Sequence, residues 1–206
     1  MGFYDRHILP RLIDWACGME VMQAQRQRAV PLARGTVLEV GIGSGHNLPF
    51  YDASRVQRVI GVDPGETLLA MARERSAAMP FTVDLHARGC ESLPLENASV
   101  DTVLVTFALC TIPGVETALG EMRRVLRPGG QFIFCEHGRA PEPGLQRWQD
   151  RLDPLWKRCF GGCHLNRDMG ALVRGAGFTL ERMEAGYLPD TPRIAGYVSL
   201  GIAHAT

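Results

Sequence analysis

The stretch Thr36-Val37-Leu38-Glu39-Val40-Gly41-Ile42-Gly43-Ser44-Gly45-His46-Asn47 constrains this chain more than any other. A short β-branched run that ends in an acid and passes into a glycine-rich turn is how a buried parallel strand delivers its carboxyl end to a ligand. Glycines at 41, 43 and 45 remove the Cβ atoms that would hold a flat, bulky ligand away from the backbone. The spacing is G-x-G-x-G, and His46 stands where a dinucleotide fingerprint would place its third glycine, which argues against a nicotinamide dinucleotide. Taken alone, the triplet reads equally as a structural turn between a strand and a helix.

The surrounding chain supplies a context. Residues 5–30 read as a helix in two pieces, with Ile8, Leu9, Leu12, Ile13 and Ala16 on one stripe and Gly18 as the interruption. Gln57–Val62 is a second strand that ends at Asp63-Pro64. Asp63 lies 20 residues after Gly43, the separation at which an acid at the end of strand two accepts hydrogen bonds from ribose hydroxyls. It also suits a helix N-cap, with Pro64 at the first helical position. The next helix, Glu66–Ala78, should turn Leu68, Leu69, Ala72, Ala77 and Ala78 inward and Arg73, Glu74 and Arg75 outward.

Phe81–His86 alternates as a strand does and leads into Gly89-Cys90-Glu91, a loop at its carboxyl end. Asp101–Phe107 is a near-continuous apolar run, as expected of a central strand covered on both faces. Helix Val115–Leu126 stops at the breaker Arg127-Pro128-Gly129-Gly130, and Gln131–Glu136 is strand five. Pro143–Phe160 carries Leu145, Trp148, Leu152, Leu155 and Trp156 at helical spacing, with Pro154 breaking or kinking it. Arg167–Ala176 is a helix with Asn166 as N-cap and Gly177 as its C′ residue, followed by strands Phe178–Glu184 and Gly196–His204. The alternation predicts an α/β fold, a doubly wound sheet with helices on both faces. One domain over 1–206 is expected: a helical lead-in (1–35), a ligand-binding core (36–137) and a closing part (138–206) that faces the second substrate.

Charge narrows the partners. With 22 basic and 22 acidic side chains, the chain has no bulk field to attract nucleic acid or an anionic membrane. Neither a secretory signal nor a run of about 18 apolar residues stands in the sequence, so a cytoplasmic protein without an integral membrane segment is expected. Six cysteines are scattered, several in apolar runs where a free thiol packs as a small hydrophobe. Cys159, Cys163 and His164 lack a second pair at zinc spacing, and no metal site is expected from them.

Glu39-x-Gly41-x-Gly43-x-Gly45, Asp63, Gly89-Cys90-Glu91 and Leu126-Arg127-Pro128-Gly129-Gly130 follow one another as the motifs of class I S-adenosylmethionine-dependent methyltransferases do, and the chain resembles that family over residues 36–137. Gly43–Tyr51, Leu109-Cys110, Arg123–Gly130, Glu136-His137, Pro154-Leu155-Trp156-Lys157 and Gly162–Arg167 resemble the methyltransferase-like thiol S-methyltransferases, which carry a methyltransferase type 11 domain. The resemblance implies a Rossmann-like sheet of seven strands with the last antiparallel beside strand five. It also implies S-adenosyl-L-methionine as cofactor and a small-molecule acceptor. Those relatives carry an N-terminal membrane helix for which this sequence shows no counterpart, so membrane attachment is not carried over.

By the same resemblance, Gly41 and Gly43, with Gly45, admit the methionine part of the cofactor, and Glu39 lies near its amino group. Asp63 binds the ribose, Pro64 and Leu68 flank the adenine, and Cys90 and Glu91 sit at its edge. Many relatives have an acid at the Cys90 position, so here Glu91 or backbone takes its role. Thr106 lines the sulfonium pocket, and Asn47 either joins it or caps the following turn. A thiol or sulfide acceptor needs positioning more than a strong base, because a thiol is already partly ionised near neutrality. His137 and His164 are the candidates to take its proton, Tyr4 and Asp5 are candidates to close over the cofactor, and Trp148, Leu155, Trp156 and Phe160 are candidates for the acceptor wall. A quinone-precursor or phospholipid head-group methyltransferase, and a cofactor-binding accessory protein without catalysis, remain as alternatives.

Overall fold

Four consecutive residues of the first strand, Val37, Leu38, Glu39 and Val40, are all buried, because parallel neighbours flank the strand and helices cover both its faces. The computed structural model describes residues 9–205; Tyr4, Asp5 and Ile8 fall outside them. In chain order the elements are α1 (Leu9–Cys17), α2 (Glu20–Ala29), β1 (Gly35–Val40), β2 (Val56–Asp63), α3 (Glu66–Ser76), β3 (Thr82–Ala87), β4 (Val100–Thr106), α4 (Val115–Val125), β5 (Leu126–His137), α5 (Pro143–Cys159), α6 (Met169–Gly175), β6 (Phe178–Tyr187) and β7 (Tyr197–Ala205). They build one seven-stranded sheet in the order β3-β2-β1-β4-β5-β7-β6, in which β1 to β5 run parallel and β7 is antiparallel to both β5 and β6. The strand order reverses between β1 and β4, so a crevice opens beyond their carboxyl ends.

Strand alternation divides the core. Leu38, Val40, Val103 and Val105 join Ala118, Leu119 and Met122 of α4 and Phe178 on one face. Val37, Leu104, Ile133 and Cys135 join Ala29 of α2, Leu69 of α3 and Leu200 of β7 on the other. Each fully buried Val, Leu, Ile, Phe or Met among them contributes about 1.5–3 kcal/mol.

Several expectations are corrected. Helix α3 starts after Gly65, so Asp63 is not its N-cap, and it ends at Ser76, which leaves Ala77 and Ala78 exposed. Arg75 turns inward instead of out: its guanidinium donates to the Ser44 carbonyl and to the Asp14 carboxylate at 3.1 Å. The cap of α6 is Asp168, whose carboxylate accepts from Ala171 N at 2.9 Å, and not Asn166. Residues Arg127–Gly130 do not precede β5 but belong to it as an irregularity in the register, with Gly129 at φ +77°.

Helix α5 differs most. It runs through Pro154 unbroken, and its buried residues are Gln149 and Asp153, not the apolar series. Gln149 donates to the carbonyls of Gly138 and Ile194 and accepts from Ala140 N, while Asp153 accepts from Leu165 N at 2.9 Å. Loop backbone groups that would otherwise be buried without partners therefore set the helix's rotation. In consequence Trp148 and Leu155 are 56% and 62% exposed.

Candidate active site

The three glycines of the β1 turn answer to three different neighbours. A Cβ on Gly41, at φ +70°, would stand 2.3 Å from the Ala108 Cβ, so the loop after β4 leaves it no room. A Cβ on Gly45 would meet Leu48 at 2.9 Å and Ala72 at 3.2 Å, where α3 packs on the turn. Around Gly43 the nearest atoms would be 3.9 and 4.0 Å away, one of them Asp63 Oδ2. Gly43 is therefore the place where a missing side chain leaves a cradle in front of the strand ends.

Asp63 closes that cradle. Its Oδ2 accepts from Gly43 N at 3.0 Å and its Oδ1 from Gly65 N at 2.8 Å, which ties the end of β2 to the β1 turn. Burial raises its pKa, opposed by those two N–H groups. A carboxylate has about four acceptor sites, so two remain for hydroxyl groups of a ligand.

Glu39 is a fully buried acid at this edge. Burial pushes its carboxyl up to about 7 against hydrogen bonds from Tyr51 and Asn47, at 2.6 and 2.9 Å. Asn47 Nδ2 also donates to Thr106 Oγ1 at 3.0 Å. Asn47 thus links β1 to β4 and makes no side-chain cap on the turn that follows it. A buried acid in this condition gains from a cation placed beside it.

Sequence reasoning missed two groups. Arg26 of α2 is buried, lies over the Phe107 ring with its guanidinium carbon 5.3 Å from the ring centroid, and has a buried Nε without a partner. No ion pair holds it among the described residues. Phe107 itself takes a left-handed conformation, φ +54°, where the chain leaves β4. Glu136, at the end of β5, accepts from the backbone N–H of Ala108, Leu109 and Cys110 at 2.7, 3.0 and 3.4 Å. It fixes the loop after β4 from beneath. An acid inside the run Phe132–His137 is the signal that marked it.

Helix α1 lies against the glycine-rich turn. His46 Nε2 is 2.9 Å from Asp14 Oδ1, and burial, with Arg75 and Arg26 nearby, lowers the His46 pKa. For Asp14 burial acts upward, and hydrogen bonds from Ser44 and Arg75 outweigh it, so its pKa falls. The lead-in is thereby fastened to the glycine-rich turn.

Other candidates separate. Pro64 is exposed and Leu68 half-buried beside Asp63, with Leu68 Cδ1 3.5 Å from the Cβ position of Gly65. Cys90 packs into the core, where burial and Glu91 push its thiol up to about 12, and Glu91 is half-buried against Gly89 and Gly114. His137 Nε2 stands 2.9 Å from Cys163 Sγ, and its Nδ1 is buried without a partner. His164 pairs through Nδ1 with Asp153 at 3.3 Å, and burial, with Arg167, lowers its pKa. Of the aromatic wall, Trp156 stacks on Phe160 at 4.0 Å between ring centroids, whereas Trp148 lies in solvent beside Arg151.

A reversal point in a parallel sheet, a glycine cradle, an acid at the end of β2 and a buried acid in β1 define a class I S-adenosylmethionine-dependent methyltransferase. The family model described as a methyltransferase domain matches residues 38–134. The human protein named thiol S-methyltransferase TMT1A is 33% identical over 187 residues, which span 86% of this chain and 76% of the human one. Phosphatidylethanolamine N-methyltransferase of Cereibacter sphaeroides is 33% identical over 153 residues, 68% of this chain and 74% of that protein. Among solved structures, an S-adenosylmethionine-dependent methyltransferase from Mesorhizobium loti superposes with a TM-score of 0.68 at 18% identity, covering 91% of this chain and 99% of that one, a likeness of fold. This chain belongs to the S-adenosylmethionine-dependent methyltransferases that include the thiol S-methyltransferases, and it uses S-adenosyl-L-methionine as methyl donor. No helix among the described residues is long and apolar enough to cross a membrane.

Proposed function

We propose that this enzyme methylates a small thiol. The observation that carries the reading is the extent of similarity: the match to the human thiol S-methyltransferase spans 86% of the chain, beyond the cofactor half, whereas the match to the phospholipid enzyme spans 68%. Acceptor specificity resides in the segments outside the cofactor core, so the longer match bears on it.

The bound cofactor supplies a methyl group on a positive sulfur. Gly41, Gly43 and Gly45 shape the turn that receives it, Asp63 accepts from its ribose, and Pro64, Leu68, Cys90 and Glu91 border the adenine. Glu39, Asn47 and Thr106 form the polar floor at its charged end. Arg26, a buried guanidinium without an acid partner, suits the cofactor's carboxylate. His164, oriented by Asp153 through one ring nitrogen, keeps the other free to accept the proton of a thiol. His137 faces Cys163 and serves the acceptor side through that contact. The protein's main work is to hold the acceptor sulfur in line with the methyl group.

The test is transfer of a labelled methyl group to hydrogen sulfide and simple alkyl thiols, compared with quinone precursors and phosphatidylethanolamine vesicles. The proposal expects turnover on thiols at least about tenfold above the other classes, which corresponds to ~1.4 kcal/mol. Preference for the lipid or the quinone would overturn it, and cofactor binding without turnover on any acceptor would favour an accessory protein.

A further inference from the structure

Three segments far apart in the chain bring soft ligands to one point beside the carboxyl ends of β4 and β5. Cys110 comes from the loop after β4, His137 ends β5, and Cys163 follows α5. Cys163 Sγ lies 2.9 Å from His137 Nε2 and 3.6 Å from Cys110 Sγ, and the three ligating atoms all fall within 4.8 Å of one another. We propose that Cys110, His137 and Cys163 form a zinc site whose fourth position takes the acceptor thiol as its thiolate.

Distances support the cation. In tetrahedral zinc, with Zn–S near 2.3 Å and Zn–N near 2.0 Å, donor atoms stand about 3.5–3.8 Å apart. The two sulfurs already have that separation, and the histidine-to-sulfur distance needs to open by about half an ångström. The donor set also fits: two thiolates and an imidazole suit zinc, whereas oxygen ligands would suit magnesium or calcium.

The ligands are held by a rigid outer shell. Glu136 fixes Cys110 N and the two N–H groups before it. Above the same loop, Arg167 donates to the carbonyls of Leu109 and Ile112, and His164 N donates to the Cys110 carbonyl at 2.8 Å. Supports of this kind preorganise a metal site. His137 presents its Nε2 to the cluster, 2.9 Å from Cys163 Sγ.

No fourth histidine, cysteine or carboxylate joins the cluster among the described residues. Three protein ligands with an open position mark a catalytic rather than a structural zinc. When a thiol binds there, a zinc–sulfur bond forms, the S–H bond breaks and the proton passes to His164, the acceptor named above, and on to water. This half of the inference rests on the thiol reading above.

Cobalt(II) provides the probe. The full-length, metal-free protein titrated with cobalt under reducing, oxygen-free conditions should bind one ion per chain, with strong visible bands of tetrahedral cobalt and thiolate-to-cobalt charge transfer. Equimolar zinc should displace it. Cys110→Ser and Cys163→Ser should each weaken zinc binding by more than about tenfold, while Cys159→Ser, at an exposed cysteine outside the cluster, should not. Binding of S-adenosylhomocysteine by every variant reports that it is folded. Ethanethiol should shift the visible bands of the cobalt protein. Absence of stoichiometric binding, or binding indifferent to both serine variants, overturns the site. A bound ion that ignores ethanethiol, or thiol methylation undiminished in metal-free protein, overturns the fourth-position role and leaves the thiol reading standing. Zinc bound as described in a protein that methylates only non-thiols refutes the thiol reading and keeps the metal site.

Discussion

Replacing Glu39 by Gln tests how the buried acid of β1 works. Its carboxyl is raised from 4.5 to about 7, which corresponds to about 3 kcal/mol between protonation states. Because the folded value lies above the unfolded one, the stabilising contribution is fully present below about pH 4.5. It is lost as pH rises through about 7. Urea denaturation of the ligand-free protein and of Glu39→Gln should therefore give a stability difference that moves by up to ~3 kcal/mol in favour of the variant between pH 4.5 and 8.5. Comparing the two proteins at each pH removes the contributions of Asp63 and Glu136, which are also raised by burial. With cofactor the order reverses: a charged acid beside a cationic ligand is worth about 1.5–3 kcal/mol, so the variant should bind S-adenosylmethionine roughly tenfold to a hundredfold more weakly at pH 8. A stability difference that is flat across this pH range, together with unchanged affinity, would refute the reasoning.

Three further outcomes follow from the geometry. Arg26→Met should lower cofactor affinity by about tenfold or more by calorimetry, since the proposed charged hydrogen bond to the cofactor's carboxylate would be lost; wild-type affinity would return Arg26 to a packing role over Phe107. Arg124 pairs with Glu121, whose carboxyl it holds down to about 2, and donates to the carbonyls of Leu93 and Leu95. Arg124→Ala should cost about 1–3 kcal/mol of stability in denaturant titration while leaving cofactor affinity unchanged. His164→Ala should remove the acidic limb of the turnover profile, a limb that in the wild type lies below the ordinary histidine value of 6.5 because burial lowers this group; an identical limb in the variant would exclude His164 as the proton acceptor.

The cofactor half was legible because its signals are local. Strand periodicity, the glycine turn and an acid 20 residues after Gly43 lie in short windows, and the structure joins Gly43 to Asp63 by a hydrogen bond at that separation. The part expected to face the acceptor was not, because its determinants are long-range. In α5 the apolar spacing of Trp148, Leu152 and Leu155 pointed to a buried stripe, but the need to satisfy loop carbonyls turned Gln149 inward and the need to satisfy the Leu165 N–H turned Asp153 inward. Cys110, His137 and Cys163 share no spacing motif, and only the crossing of three segments brings them together. Arg26 carries no local signal that sets it apart from Arg28 on the same helix, and only tertiary packing buries it. Asn47 was open to two readings, a cap, which its residue type favours, or a member of the pocket, and two partners across the strand ends claim its amide.

Calorimetric titration of the enzyme with S-adenosylmethionine, set beside Asp63→Ala, tests the placement of the cofactor most directly. One cofactor per chain should bind at micromolar concentration, and the variant, which loses the carboxylate that holds Gly43 N and is proposed to accept from the ribose, should bind at least about thirtyfold more weakly, or ~2 kcal/mol. Equal affinity in the two proteins would contradict the account.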